Sequence, residues 1–322
     1  MRNGFFYRIL TFAKIFLMKV LVTGGAGYKG IRLSKALLDK GYEVSILDNF
    51  MYGFHPILQL AEYPKLTVIK QDIRNKISDL TKFDAVFHLA GISGFPACAA
   101  NPASAQQINI EATRQLTEGL SKNQILINAS TTSFYGKSGD KCTEDTPINP
   151  VSHYGVTKYE AEKIVLQKEN SLSFRFATVF GFSVKLRMDL MVNDFAYKAL
   201  KEGVVILFDS YAKRTFIHID DAVDCYIFGL ENFDALKDDK VFNAGGDNLN
   251  FSKLEIAEAI KQHVEYNIID SEIKDKDLRH FVVSYDKIKK KGFIPKRTLD
   301  EGIVQLLKVF KYYDSNLPYN II

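Results

Sequence analysis

The order of apolar and polar positions divides the first half of the chain into short strands and amphipathic helices. Nearly continuous apolar runs of about five residues predict buried strands, whereas apolar residues three and four positions apart predict helices. Helical spacing is clearest over Pro102–Leu120 and Ser152–Lys168. Because strands that alternate with helices form a parallel sheet covered on both faces, we predict a doubly wound α/β fold. The predicted strands are Lys19–Thr23, Glu43–Leu47, Leu66–Lys70, Asp84–Leu89, Gln124–Ala129 and Leu172–Phe176.

From Phe182 onward the predicted elements are shorter and their order is less regular. We interpret residues 182–322 as a smaller substrate-binding lobe, partly interleaved with a first domain that spans residues 18–181. The elements predicted for this lobe are helices at Met188–Lys201, Asp220–Glu231, Ser252–His263 and Thr298–Phe310, and strands at Val204–Phe208 and Val241–Asn243.

The first predicted strand ends in a glycine turn that leads directly into a helix. Its glycines have the spacing Gly24-x-x-Gly27-x-x-Gly30. In a dinucleotide site the first glycine permits the tight turn, the second lets backbone N–H groups approach a pyrophosphate, and the third lets helix and strand pack closely. The helix N-terminus adds a favourable dipole for the anion. This context predicts that the three glycines bind a dinucleotide on a Rossmann-type sheet.

The second predicted strand ends in an acidic residue, Asp48, which lies about 18 residues after Gly30, close to where this fingerprint expects an acid. A carboxylate there accepts hydrogen bonds from the adenosine ribose and repels a 2′-phosphate. No Arg or Lys follows before Lys65. The sequence therefore favours NAD over NADP.

A tyrosine and a lysine, Tyr154 and Lys158, are four positions apart in a predicted helix and so share one face. A lysine cation beside a phenol lowers the pKa of the phenol, which can then take a proton from an alcohol near neutral pH. A hydroxyl at the end of the fifth strand, such as that of Thr131, could bind the same alcohol oxygen. These residues predict an alcohol-oxidising site.

Composition and charge point to an ordinary globular protein of 322 residues, 47% hydrophobic and 25% charged, with a net charge of +4. The basic run Lys287–Lys291 is typical of a solvated helix face, so we expect no nucleic-acid partner. Three cysteines lack the spacing of metal or disulfide sites, which fits a reducing compartment. We therefore expect a cytoplasmic protein without a metal centre.

The first 17 residues mix apolar side chains with Arg2, Arg8 and Lys14. The segment is too short and too charged to span a membrane, and no small-residue cleavage site precedes Met18. We interpret residues 1–17 as an extension outside the fold or the product of an upstream start codon, and expect no membrane contact through them. A basic amphipathic helix lying on a membrane is the alternative.

Taken together, the motifs from Met18 to about Leu307 resemble one family, the extended short-chain dehydrogenases, and within it the NAD-dependent sugar-nucleotide epimerases and dehydratases. The resemblance adds later landmarks to the residues described above. They are Asp72-Ile73-Arg74, His88-Leu89-Ala90-Gly91, Asn109, Tyr135-Gly136, Arg175, Val179-Phe180-Gly181, the run from Arg214 to Asp221, Phe242-Asn243 and Lys291-Gly292-Phe293-x-Pro295.

The resemblance implies a role for each matching position. Thr131, Tyr154 and Lys158 would be catalytic, and Lys158 would also hold the nicotinamide ribose. Arg214 would bind the substrate diphosphate; Arg279 would do so too or be a surface cation. Arg187 and Asn193 would line the sugar-nucleotide cleft. The cofactor contacts implied besides the glycines, Tyr154 and Lys158 are Tyr28, Lys29, Asp48, Asn49, Asp72, Ile73, Leu89, Ala90, Gly91 and Asn109.

Departures from the family pattern narrow the expected reaction. Thr132 and Ser133 stand where the 4,6-dehydratases carry acids, and no cysteine of the kind used for epimerisation at C3 and C5 lies there. Redox chemistry at C4 of a nucleotide-diphosphate sugar remains, and we predict a 4-epimerase. The alternatives are a net C4 dehydrogenase acting on a GDP-linked heptose or a similar sugar for surface polysaccharides, and a catalytically silent NAD-binding scaffold.

Two further expectations follow from the same comparison. Lys29 replaces an apolar residue in the loop that faces the pyrophosphate, so it would contact a phosphate or point to solvent. The family also implies a homodimer built from the Pro102–Leu120 and Ser152–Lys168 helices.

Overall fold

A computed structural model describes residues 18–273 and 280–313 of the chain. Its centre is a seven-stranded sheet in the order β11-β7-β5-β4-β1-β2-β3, with parallel pairing throughout. The strands of this sheet are β1 (Lys19–Thr23), β2 (Glu43–Asp48), β3 (Leu66–Lys70), β4 (Ala85–His88), β5 (Ile125–Thr131), β7 (Ser171–Phe176) and β11 (Val241–Ala244). The predicted α/β fold with a doubly wound parallel sheet is confirmed.

Shorter strands form three small sheets outside the central one. They are β6 (Lys137–Cys142) with β14 (His280–Val283), β9 (Val204–Phe208) with β13 (Asn267–Ser271), and β8 (Thr178–Phe180) with β10 (Lys213–His218) and β12 (Asn250–Ser252).

The helices cover both faces of the central sheet and build the second lobe. They are α1 (Tyr28–Asp39), α2 (Phe95–Ala100), α3 (Pro102–Gln106), α4 (Ala112–Gly119), α5 (His153–Leu166), α6 (Met191–Lys201), α7 (Ile219–Glu231), α8 (Phe233–Leu236), α9 (Lys253–Lys261), α10 (Asp286–Lys290) and α11 (Leu299–Phe310). Single 3₁₀ turns lie at His55–Leu60, Leu80–Lys82 and Thr132–Tyr135. Within the described residues no helix is long and apolar enough to cross a membrane.

Alternate residues of the strands supply two separate apolar layers, because successive side chains of a strand point to opposite faces. Val20 and Val22 pack with α1 and α7 on one face, whereas Leu21 packs with α4 and α5 on the other. A third apolar cluster lies in the second lobe, between α6, α9 and α11. Burial on both faces explains why the central strands have nearly continuous apolar sequences.

The helix predicted over Pro102–Leu120 is interrupted by a π-helical turn at Gln107–Glu111, which separates α3 from α4. Such turns widen a helix locally and often occur at functional sites. Here the turn contains Asn109, one of the residues implied to contact the cofactor.

The second lobe returns to the first domain through α7 and β11. These elements lie beyond the predicted boundary at residues 181 and 182, yet α7 packs against α1, and β11 pairs with β7 at the edge of the central sheet. The two parts of the chain therefore share one core, and the carboxyl ends of the central strands face the connection between them.

Candidate active site

The glycine turn between β1 and α1 has no room for side chains at two of its three glycines. Gly24 has a φ of +69°, and a Cβ atom there would lie 2.7 Å from the backbone nitrogen of Ala90. A Cβ atom on Gly30 would overlap the carbonyl oxygen of Gly24. Gly27 precedes the first turn of α1, whose N–H groups have no side-chain cap. This bare backbone cradle at a helix N-terminus fits a dinucleotide pyrophosphate.

Asp48, at the end of β2, is fixed against this turn. Its carboxylate accepts hydrogen bonds from the backbone N–H groups of Ala26 at 3.1 Å and Phe50 at 2.9 Å. Burial raises the pKa of the Asp48 carboxyl group, and these backbone donors oppose the increase. The side chain therefore stands beside the cradle, where an adenosine ribose would lie.

A second polar group lies at the ends of β2 and β3. Asn49 donates a hydrogen bond to Asp72 at 3.3 Å, and Arg74 donates two to the same carboxylate at 2.8 and 2.9 Å. These Arg74 hydrogen bonds hold the pKa of Asp72 well below its usual range. Ile73, which lies between Asp72 and Arg74 in the sequence, is buried, with 8% of its surface exposed. The arrangement brings the residues predicted for the adenine end to one edge of the sheet.

The loop after β4 approaches the glycine turn closely. The Leu89 N–H donates to the Thr23 carbonyl at 3.1 Å, and a Cβ atom on Gly91 would lie 2.9 Å from the Asn109 side-chain oxygen. Ala90 is the residue that excludes a side chain at Gly24. The predicted residues 89–91 therefore line the cradle.

Asn109 fixes this loop through hydrogen bonds that engage both polar atoms of its side chain. Its amide oxygen accepts from the Ile92 N–H at 2.8 Å, and its amide nitrogen donates to the Ile92 carbonyl and to the Thr157 hydroxyl, both at 3.0 Å. Its position supports a role in fixing the loop to α5, rather than the direct cofactor contact that the resemblance implies.

Tyr28 also differs from its expected role as a cofactor contact. The side chain is buried, and its hydroxyl donates to the Gly181 carbonyl at 2.7 Å. Its own carbonyl accepts from the Ser183 hydroxyl at 2.9 Å. Tyr28 thus ties the glycine turn to the residues that follow β8.

The end of β5 presents Thr131 at the carboxyl edge of the sheet. The Thr131 hydroxyl donates to Ser133 Oγ at 3.0 Å and accepts from the Ser133 N–H at 3.1 Å, which starts the 3₁₀ turn. The Thr132 hydroxyl points inward and donates to the Phe176 carbonyl at 3.2 Å. Thr131 and Ser133 therefore form a hydroxyl pair at the strand end, without a carboxyl group at either following position.

Helix α5, which contains Tyr154 and Lys158, packs against β5 and the 3₁₀ turn that follows it. The helix starts at a Ser152 cap, whose hydroxyl accepts from the Gly155 N–H at 3.1 Å. A Cβ atom on Gly155 would lie 3.6 Å from the Phe134 Cα atom, so the first turn of α5 rests directly on the turn after Thr131. A small residue is needed next to Tyr154 because a Cβ atom on Gly155 would lie 2.9 Å from the Pro150 Cβ atom.

Lys158 lies in a desolvated environment. Burial lowers the pKa of its ammonium group to about 8, although the charge of Glu162 and the Cys98 thiol oppose that change. Lys158 stands four residues after Tyr154 on the same face of α5. A lysine that remains charged near neutral pH in this position can stabilise a phenolate on that face.

The Lys29 side chain extends from the start of α1 toward α7 and the end of β7. Its ammonium group donates to the Tyr226 hydroxyl at 3.3 Å and lies 4.7 Å from the centre of the Phe176 ring. Burial lowers its pKa to about 7, and the positive charges of Lys158 and Arg187 add to the effect. The side chain is partly buried against α7 and the end of β7 rather than extended into solvent, and its contact with a phosphate stays a prediction.

Arg187 lies in the segment between β8 and α6, and Asn193 lies in the first turn of α6. Their side chains make different contacts. Arg187 is held by Asp189 through two hydrogen bonds of 2.6 Å and lies within electrostatic range of Tyr154. Asn193 is fully buried; it accepts from the Gly181 N–H at 3.1 Å and donates to the Arg187 carbonyl at 3.0 Å. Asn193 thereby supports Arg187, and its contact with a substrate stays a prediction.

Arg214 and Arg279 lie far along the chain from the glycine turn. Arg214 is in β10, opposite Phe251 of β12, and only 2% of its surface is exposed. Its binding of a diphosphate stays a prediction. Arg279 lies outside the described residues, as do residues 1–17.

From the sequence, no role was predicted for two buried groups near the site, although His88 is part of a family landmark. His88, at the end of β4, lies 2.8 Å from both the Thr23 and the Thr113 hydroxyl, and burial lowers its pKa to about 3. Tyr226 is fully buried in α7 and contacts Lys29. The sequence shows an apolar helix at Tyr226 and gives no signal that this helix reaches the site.

Comparisons with known proteins agree with this geometry. Residues 20–245 match the model of the NAD dependent epimerase/dehydratase family. The relative YtcB of Bacillus subtilis, an uncharacterized UDP-glucose epimerase, is 33% identical over 226 residues, which are 64% of this chain and 70% of that protein. The UDP-glucose 4-epimerase of Lactobacillus helveticus is 27% identical over 273 residues, which are 76% of this chain and 81% of that enzyme.

A solved structure extends the similarity to most of the chain. UDP-glucuronic acid 4-epimerase from Bacillus cereus, in complex with UDP-glucuronic acid and NAD, superposes with a TM-score of 0.79 at 26% identity. The match covers 91% of this chain and 99% of that enzyme. With its glycine cradle, its parallel sheet and this extent of similarity, the chain belongs to the NAD-dependent epimerase/dehydratase family.

Proposed function

We propose that this protein is a 4-epimerase of a nucleotide-diphosphate sugar that works with bound NAD. The observation that carries the proposal is the packing of α5 on β5 and on the turn that follows it, with Tyr154 and Lys158 in that helix and Thr131 at the end of that strand. Relatives that act at C4 of UDP-sugars support the choice of carbon. The intact set of three polar side chains argues against a silent scaffold.

The residues present fit NAD. The glycine cradle at the start of α1 would hold the pyrophosphate, Asp48 the adenosine ribose, and Lys158 the ribose of the nicotinamide. When bound, NAD supplies a hydride acceptor that can return the hydride later in the cycle.

Residues of the chain itself carry out the proton transfer from the C4 hydroxyl. Tyr154, as phenolate, takes the proton of the C4 hydroxyl, and the Lys158 ammonium stabilises that phenolate through its charge. The Thr131 hydroxyl holds the same alcohol oxygen and is itself oriented by Ser133 at 3.0 Å. For epimerisation, the second lobe has to leave the 4-keto sugar enough room to present its other face.

The same strand end disfavours a 4,6-dehydratase. Elimination across C5 and C6 needs an acid and a base near those carbons, and Thr132 and Ser133 offer only hydroxyl groups. Thr132 moreover donates its hydroxyl hydrogen to the Phe176 carbonyl, away from the strand end. We therefore propose that the reaction stays at C4.

A substrate labelled with deuterium at C4 tests the reaction type. Screening UDP-, GDP-, CDP- and dTDP-sugars for thermal stabilisation first selects the substrate, because specific binding raises stability by mass action. An epimerase is expected to give the C4 epimer with deuterium retained at C4, measured by NMR. A net dehydrogenase would instead accumulate the 4-keto sugar and reduced cofactor. A 6-deoxy-4-keto product would contradict both.

Asp48 is expected to make NAD bind more tightly than NADP. Its carboxylate would repel the 2′-phosphate, so Asp48→Asn should reduce the preference by about ten-fold, the scale of one like-charge contact near a protein surface. The measurement is titration of both cofactors into wild type and variant. Asp39→Asn, at the far end of α1, is the matched control. Equal affinities of the wild type for NAD and NADP would contradict the assignment.

The homodimer implied by the resemblance stays a prediction, as does the cytoplasmic location. The two segments expected to form the interface, α3 to α4 and α5, pack side by side on one face of the sheet. They could present one continuous helical surface to a second copy.

A further inference from the structure

The ammonium group of Lys29 lies against two aromatic side chains, Phe176 and Tyr226. The residue lies between Gly27 and Gly30, at the second position of α1, and its ammonium group contacts Tyr226 of α7 at 3.3 Å. The ring centres of Phe176 and Tyr226 lie 4.7 and 5.8 Å from the nitrogen. Phe176 is the last residue of β7, so the group stands at the carboxyl edge of the central sheet, where the candidate site lies.

The groups that face this ammonium leave its charge uncompensated. Lys158 of α5 and Arg187 of the segment after β8 are both cations, and on α7 it faces the phenol of Tyr226 and the thiol of Cys225. Burial raises the pKa of both of these α7 groups, which keeps them neutral near pH 7. Among residues 18–273 and 280–313, Lys29 forms no ion pair with a carboxylate.

The position of Lys29 relative to the chemistry follows from Tyr226 and from the proposed function, on which this step rests. Tyr226 contacts Lys29 and also lies within electrostatic range of Tyr154. Hydride leaves the carbon whose hydroxyl proton Tyr154 takes, so the acceptor ring has to lie within a few ångströms of that carbon. The nicotinamide end of a bound cofactor would therefore lie close to the Lys29 ammonium.

We propose that Lys29 sets the balance between the two redox forms of the bound cofactor. The oxidised nicotinamide ring carries a positive charge and the reduced ring is neutral. A neighbouring ammonium group repels the first and leaves the second unaffected. Lys29 accordingly favours reduced over oxidised cofactor, and in the reaction it favours the state in which the sugar is the 4-ketone.

The preference for reduced over oxidised cofactor depends on pH, because the surroundings of Lys29 set the pKa of its ammonium group. Burial, together with Lys158 and Arg187, lowers the pKa of Lys29 to about 7. Below that pH the amine is protonated and repels the oxidised ring. Above it the amine loses its charge, so the preference for reduced cofactor should decrease as the pH rises from 6 to 9.

The test measures the dissociation constants of NAD and NADH for the full chain at pH 6 and pH 9, without any sugar nucleotide. We expect Lys29→Met to lower the preference for NADH about ten-fold at pH 6, the scale of one like-charge contact. Lys29→Arg keeps a charge at both pH values and should leave only the pH dependence that Lys158, whose pKa is about 8, contributes. Lys35→Met is the matched control on the same helix, because Lys35 pairs with Asp39 at 2.8 Å.

ADP-ribose, which lacks the nicotinamide ring, separates this role from a phosphate contact. Its affinity should be the same for wild type and Lys29→Met, which also shows that the variant keeps its fold. Equal loss of affinity for NAD, NADH and ADP-ribose would overturn the proposal, and so would an unchanged NADH preference at pH 6. Because no substrate is used, failure to find turnover would count against the proposed function and not against this result.

Discussion

Replacing Tyr154 with phenylalanine should lower turnover roughly 10²–10⁴-fold, the usual contribution of general acid–base catalysis. The change removes the oxygen that accepts the substrate proton and keeps the ring. NAD binding and thermal stability should remain close to wild type, because the contacts that seat α5 involve Gly155 and Ser152 rather than the Tyr154 hydroxyl. The measurement compares turnover of the identified sugar nucleotide with NAD affinity in the same preparation.

A matched control for this variant is Tyr159→Phe, on the same helix. Tyr159 packs edge-to-face on Phe134, with ring centres 5.7 Å apart, and it is not one of the predicted catalytic residues. Its hydroxyl should contribute little to turnover. Activity of Tyr154→Phe within a few-fold of wild type would remove Tyr154 from the mechanism.

The second large effect concerns stability, at a buried ion pair behind the catalytic helix. Arg175 of β7 donates to Glu162 of α5 at 2.8 Å and to the Tyr135 hydroxyl at 2.9 Å. The two charged side chains are only 8% and 1% exposed. Arg175→Met would leave the Glu162 carboxylate buried without its partner, which typically costs about 3–5 kcal/mol. Denaturant unfolding of the protein without ligands measures this loss.

Two comparisons make the stability prediction specific. The double variant Arg175→Met/Glu162→Met should recover part of the loss, because no uncompensated charge remains. Arg114→Met breaks an exposed pair with Glu111, whose side chains are 46% and 55% exposed, and should cost about 1 kcal/mol or less. A loss for Arg175→Met no greater than that for Arg114→Met would contradict the prediction.

Most strands of the central sheet could be predicted from local patterns because β1, β4, β5 and β7 are buried on both faces, whereas the edge strand β3 is largely exposed. The bounds predicted for Lys19–Thr23 and Leu66–Lys70 are those of β1 and β3, and Val204–Phe208 is β9. By contrast, β6 has the polar sequence Lys137–Cys142 and exists through its pairing with β14. Partners so distant in sequence leave no local periodicity, so this small sheet could not be predicted.

The candidate site divides in the same way. Gly24, Gly30 and Asp48 act through the backbone turn and strand end to which they belong, and their local context was enough to predict them. The side chains of Asn109 and Asn193 accept hydrogen bonds from the backbone of other segments, at Ile92 and Gly181. These contacts depend on the tertiary structure and could not be predicted from the local sequence.

By itself, then, the sequence determined the parallel sheet, the dinucleotide cradle and the shared face of Tyr154 and Lys158, because each depends on residues close together in the chain. The tertiary structure alone decided what surrounds Lys29. A lysine after a glycine turn is ordinarily free to reach solvent, and here α7, some 200 residues away, covers it with Tyr226. Burial and the neighbouring cations then lower its pKa to about 7, a property that depends on charges brought together only by folding.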